Sequence, residues 1–234
     1  MLIVLYLVLL VIVLVILFTG INTTAAKLFP EPGSFIFRTL LLISIWLAYI
    51  FTLSFSGILT SFALPPRVPL LLVLPFIIFL IYFFTRSRFK PLIDSVPPHW
   101  LVYFQSFRIG VELLIWYTFM KGVFPHHVTY EGYKFDILAG LTAPVIGYLV
   151  AKQATGSKTI LIIWNILGLL LLFNVVFIFN TITYFPQLWH HGASILKVKY
   201  GMLPLALLAG VFMPAAVFMH VLSLVNIIRQ LKKK

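Results

Sequence analysis

The chain has no cysteine, and only five of its 234 residues are acidic. Without a thiol there is no disulfide, thiolate metal centre, iron–sulfur cluster or covalent haem attachment. Charged residues of both signs make up only 9%, against about a quarter in an ordinary soluble domain, which excludes the usual water-solvated globular surface. There is no Gly-x-Ser-x-Gly elbow, so nothing points to a serine hydrolase. Gly156-Ser157-Lys158-Thr159 has only the ending of a phosphate loop, out of register and after an apolar helical run instead of a strand.

What is present is apolar: 62% of the residues are hydrophobic and 16% aromatic, gathered into long runs. A transmembrane helix needs about 20 such residues, and seven runs fit, over about 1–18, 40–62, 68–84, 99–119, 135–151, 160–179 and 202–227. These predict an all-α polytopic membrane bundle of seven transmembrane helices in one integral domain, 1–234. The number becomes six if the first is discounted, and 68–84 is short enough to be re-entrant. No basic residue precedes the first run and no small-residue cleavage pattern follows it, so it reads as a retained helix instead of a signal peptide.

The net charge of +12 comes from seventeen Lys and Arg scattered singly and in pairs through the connections, which points to a lipid bilayer as partner and not to nucleic acid. Eleven fall on one side, at Lys27, Arg38, Arg86, Arg88, Lys90, Lys152, Lys158, Arg229 and Lys232 to Lys234. Five fall on the other, at Arg67, Lys121, Lys134, Lys197 and Lys199. The positive-inside bias then places the N-terminus outside and the C-terminus inside. Trp100, Tyr130, Tyr133, Tyr184, Trp189 and Tyr200 fall near span ends, where amphipathic rings favour the headgroup region.

Inside the fourth span Gln105, Arg108 and Glu112 share one helix face, so Arg108 and Glu112 are expected to pair directly. Each charge near the bilayer centre costs about 2.5–3.5 kcal/mol on insertion scales, so such groups face the bundle interior and suggest function by default. The outer connection from Phe124 to Asp136 adds His126, His127, Glu131 and Asp136, and the next outer connection adds His190 and His191. These imidazoles and carboxylates could hold a divalent metal at the outer face, although their spacing matches no established motif. Asp136 also stands where a helix cap belongs. The line from the histidines through Asp136 to Glu112 gives a candidate ligand or ion path.

His99 and His220 are expected near the inner face. Two histidines on different helices can hold a haem, but these are not deep and lack flanking small residues, so haem is disfavoured. A retinal Schiff base is excluded, because the last span has no lysine between Met202 and Ile228. The fifth span carries small residues at Ala139, Gly140, Ala143 and Gly147, a stripe for close helix approach. The interior prolines, Pro75, Pro144, Pro204 and Pro214, should kink their helices and free carbonyls.

Pro125, Thr129-Tyr130-Glu131-Gly132 and Phe135-Asp136-Ile137-Leu138-Ala139-Gly140-Leu141-Thr142-Ala143-Pro144 together resemble a block in an uncharacterised family of bacterial multi-pass inner-membrane proteins. The resemblance implies a bacterial cytoplasmic membrane and no particular activity. The expected function is binding or translocation of a small polar ligand or ion. The alternatives are a structural or assembly subunit, packed on a membrane-protein partner or a second copy, and a metal-assisted enzyme working at the outer face.

Overall fold

The computed structural model describes residues 1–61, 64–189 and 203–232. Its helices are α1 (Leu2–Leu28), α2 (Gly33–Phe55), α3 (Leu74–Thr85), α4 (Lys90–Ser95), α5 (Pro98–Phe104), α6 (Phe107–Met120), α7 (Ile137–Ala151), α8 (Ser157–Tyr184) and α9 (Met213–Lys232). Wide π turns at Pro69–Val73 and Leu208–Phe212 lead into α3 and α9. No strand occurs among the described residues. Among the described residues four helices are long and apolar enough to cross a bilayer, and a fifth crossing is made if Pro69–Thr85 and Ser87–Ser95, bent by 77°, count as one. The chain is thus a helical membrane protein.

Several boundaries differ from the hydropathy reading, each for a local reason. The first helix continues to Leu28, because Thr19 and Thr23 return their hydroxyls to Val15 O and Thr19 O within the helix, so their polarity does not end it. It stops where Pro30 forces Phe29 into extended backbone. The second helix begins at Gly33, before its apolar run, and ends at Phe55. The fourth span is divided at Gln105–Ser106, where Gln105 N and Arg108 N reach back three residues to Val102 O (2.9 Å) and Gln105 O (3.1 Å). This tightened turn keeps the backbone paired while offsetting α6 from α5.

The prolines have a shared logic that the sequence reading missed. A proline lacks an N–H, so the carbonyl four residues earlier loses its helical partner. For Pro75 that carbonyl is Leu71 O, and it accepts the Tyr49 hydroxyl at 3.0 Å. For Pro214 it is Gly210 O, and it accepts Trp46 Nε1 at 2.8 Å. Both π turns therefore dock on the same side of α2. Beyond them α3 and α9 lie side by side, with Phe79 stacked on Phe218.

The remaining helices pack antiparallel. Along α7, Gly140 meets Ile109 and Gly147 meets Tyr103, approaches so close that a Cβ on Gly140 would lie 2.9 Å from Ile109 N. The small-residue stripe Ala139, Gly140, Ala143 and Gly147 is buried as expected. Trp164 Nε1 of α8 donates to Thr142 Oγ1 of α7 (2.9 Å), and α9 packs on α8. At one end of the bundle Asn226 donates to Ile93 O and Val96 O while Arg229 grips Asp94. At the other, the Tyr6 hydroxyl donates to Thr118 Oγ1 (3.1 Å), whose own proton goes to Leu114 O.

A carbonyl left unpaired in an apolar interior costs about 1–3 kcal/mol. Trp46→Phe should therefore lower stability by about that amount in a denaturant titration. In a Pro214→Ala background, which restores an N–H for Gly210 O, the same substitution should cost much less. Equal losses in both backgrounds would exclude the capping role.

Candidate functional site

The tightened turn at Gln105–Ser106 sets Arg108 and Glu112 on the inward face of α6, where they are 1% and 0% exposed. Two unpaired charges there would be prohibitive, and the structure supplies both counterions from one place, the stretch of chain that leads into α7. Arg108 donates Nε to Asp136 Oδ2 (3.1 Å) and Nη2 to Asp136 Oδ1. Lys134 donates to Glu112 Oε1. The expected Arg108–Glu112 pair is thus corrected: each group reaches across to α7's leader. A bidentate carboxylate matches the guanidinium fork better than an in-helix neighbour can.

Lys134 does not stand among the outer topology charges either, since it is buried with Asp136 beside it. Asp136 precedes the first residue of α7 but makes no side-chain cap, because both its oxygens serve Arg108. The loop that presents these two residues is shaped by a tight turn. Thr129 Oγ1 donates to His126 O (2.8 Å), Tyr133 N to His127 O and Lys134 N to Thr129 O. Gly132 is needed there, because a Cβ would lie 2.5 Å from His126 O. Asn174 Nδ2 of α8 holds the turn from outside through Tyr133 O (2.9 Å).

A third partner of Arg108 comes from α9. Arg108 Nη1 donates to His220 Nε2 (2.9 Å), which requires the proton on Nδ1, and Nδ1 donates to Asn165 Oδ1 (2.8 Å). Asn165 Nδ2 in turn donates to Leu161 O (2.8 Å) and Ser223 Oγ (2.9 Å), which fixes the amide's orientation. His220 is fully buried with its ring against Trp164. Both of its nitrogens are engaged, which leaves neither for a haem iron in this arrangement. Gln105 Nε2 donates to Ala216 O (3.0 Å) and ties the α5–α6 turn to α9.

The other expected ligands lie apart. Glu131 and His126 are exposed, and the His126 ring meets Phe119 edge-on. His127 sits between Tyr133 and Trp189, where burial, aided by the neighbouring His126, holds its imidazole below the usual histidine range. His190 and His191 lie outside the described residues, and among the described residues no three His, Asp or Glu side chains converge on a metal position. His99 packs edge-on against Tyr103.

Arg108, Lys134 and Asp136 form the polar end of a cavity of about 130 Å³. Its other walls are mainly apolar and include Val111 and Ile115 of α6, Leu172 of α8 and Phe212 of the second π turn. The residues that sequence reasoning missed are Lys134, counted there as a loop charge, and Asn165, whose signal was a carboxamide in the middle of an apolar span; His220 was noticed, but not as a partner of Arg108. No protein-family model, curated protein or solved structure matches this chain.

Removing one member of a buried ion pair costs about 3–5 kcal/mol, whereas replacing both by apolar residues is often neutral. Lys134→Met and Glu112→Leu should each be strongly destabilising, and the double variant should recover most of the loss. A double-mutant cycle in denaturant measures this. Strictly additive losses would show that the two groups do not act as a pair.

Proposed function

We propose that the protein is an intramembrane binding protein that takes a small molecule into the cavity beside the paired charges, with Arg108 and Lys134 meeting the ligand's polar group and Asp136 holding Arg108 in place. The observation that carries this reading is the placement of three buried charged side chains on the wall of a mainly apolar cavity. A pair needed only to fix helix packing would be as well served away from any open space. Gln105, Glu112 and His220 act behind these three as supports. Passage of the ligand across the membrane extends the same reading.

The chain then crosses a bacterial cytoplasmic membrane seven times, with the N-terminus outside. Support comes from the antiparallel alternation of neighbouring helices and from the charge asymmetry, which sharpens once the buried Lys134 is withdrawn from the outer side. The 15 residues of α7 span only about 22 Å at 1.5 Å per residue, short of the roughly 30 Å hydrocarbon core. The leader, which turns Lys134 and Asp136 inward and leaves Tyr133 and Phe135 half-exposed, completes that crossing as irregular chain.

A second reading, an assembly subunit, is favoured by α2, which buries only Ile50 and Ser54 and leaves Phe37 67% exposed. Native mass spectrometry of the protein released from lipid nanodiscs separates the two. The binding reading expects a stoichiometric small-molecule adduct that disappears in Ala209→Phe, which fills the cavity, at unchanged folded yield. A stoichiometric protein partner with an empty cavity would favour assembly and count against binding.

A further inference from the structure

We infer that the ligand is an uncharged amphiphile whose head is about the size of one six-membered ring and carries carbonyl oxygens. This deepens the binding reading above and rests on it. Three features of the site narrow the chemistry.

The first is charge closure. Two cations and two carboxylates are buried as the pairs Arg108–Asp136 and Lys134–Glu112, and His220 is held neutral between Arg108 and Asn165. A ligand with a net charge would bring an unmatched ion among buried charges that already balance, at a cost of several kcal/mol. An uncharged head leaves the balance intact.

The second is a surplus of donors. A guanidinium has five N–H groups and an ammonium three. Arg108 uses three of its five, two on Asp136 and one on His220, and Lys134 uses one of its three, on Glu112. Among the described residues no further acceptor meets either group, so two N–H of Arg108 and two of Lys134 stand unclaimed at the cavity. The one carboxylate on the cavity wall is already taken, because both Asp136 oxygens receive Arg108; the wall's other polar side chains are the uncharged Ser61, Asn180, Thr183 and Tyr184. Cationic donors with N–H groups to spare select a head with oxygen lone pairs, as a carbonyl has.

The third is size. A cavity of about 130 Å³ is close to the roughly 150 Å³ that admits benzene in an engineered protein core. It accommodates a ring-sized head in contact with Val111, Ile115, Leu172 and Phe212. Carbonyls on an apolar skeleton occur both in quinones and in glycerol esters, and the experiment distinguishes these sources.

The full chain in nanodiscs is titrated with decylubiquinone, dioctanoylglycerol, decanoate and decylammonium, followed by native mass spectrometry. The expected result is saturable binding of at least one uncharged probe, with decanoate and decylammonium at least tenfold weaker. Both Ala209→Phe, by filling the cavity, and the double variant Lys134→Met/Glu112→Leu, by removing donors without stranding a charge, should weaken the bound probe at least tenfold. Decylubiquinone as the tighter probe identifies a quinone head, and dioctanoylglycerol as the tighter identifies an ester. Stronger binding of decanoate or decylammonium overturns the assignment of an uncharged ligand while leaving the binding reading standing. Saturable binding that neither variant weakens overturns the placement in this cavity. Absence of saturable binding by all four overturns this inference, and the adduct spectrum of the unsupplemented protein then decides the binding reading independently.

Discussion

The interior of this bundle is organised by the requirement that a charge buried in an apolar medium have its counterion and its hydrogen bonds in place. Arg108 meets that requirement with a bidentate carboxylate on one side and an imidazole on the other. Satisfying one guanidinium therefore ties α6 to the leader of α7, and through His220 and Asn165 to α9 and α8. Lys134 and Glu112 repeat the first of these links two residues away in the leader. Pairs of this kind add little net stability compared with well-packed apolar residues, and their plainer effect is to penalise any arrangement that separates the partners.

The same constraint applies to the backbone. Pro75 and Pro214 each leave a carbonyl without a helical partner, and α2 supplies Tyr49 and Trp46 to receive them. That gives α2 a specific attachment although most of its surface faces outward. The π turns so anchored contribute Pro69, Leu208 and Phe212 to the cavity wall. Backbone irregularity and buried charge therefore meet at one place, the cavity between the two π turns, α6 and α8.

Much of the helical membrane character was legible because it depends on composition. Long runs free of charge become membrane helices under almost any tertiary arrangement. The division of the fourth span was not legible, since Gln105 and Ser106 are ordinary within a helix and the break is set by what α6 must face. The intrusion of Arg108 and Glu112 into the apolar interior was legible from their position in a hydrophobic run. Their partners were not, because helix spacing suggested an in-helix pair while the counterions came from 22 and 28 residues further on. Lys134 and Asp136 looked like loop charges, and only the turn around Gly132 folds them inward.

By itself, the sequence determined the class of solvent this protein meets, the helical form that the solvent imposes, and the presence of charges that had to be buried and matched. Those are consequences of local composition and of the cost of exposing polar groups to hydrocarbon. Only the tertiary structure decided which charge met which, that His220 would support Arg108 from within the bundle, and that a cavity would open beside the pairs. Contacts between segments far apart in the chain depend on how whole helices pack, and neither apolar periodicity nor residue spacing within a single helix encodes that packing.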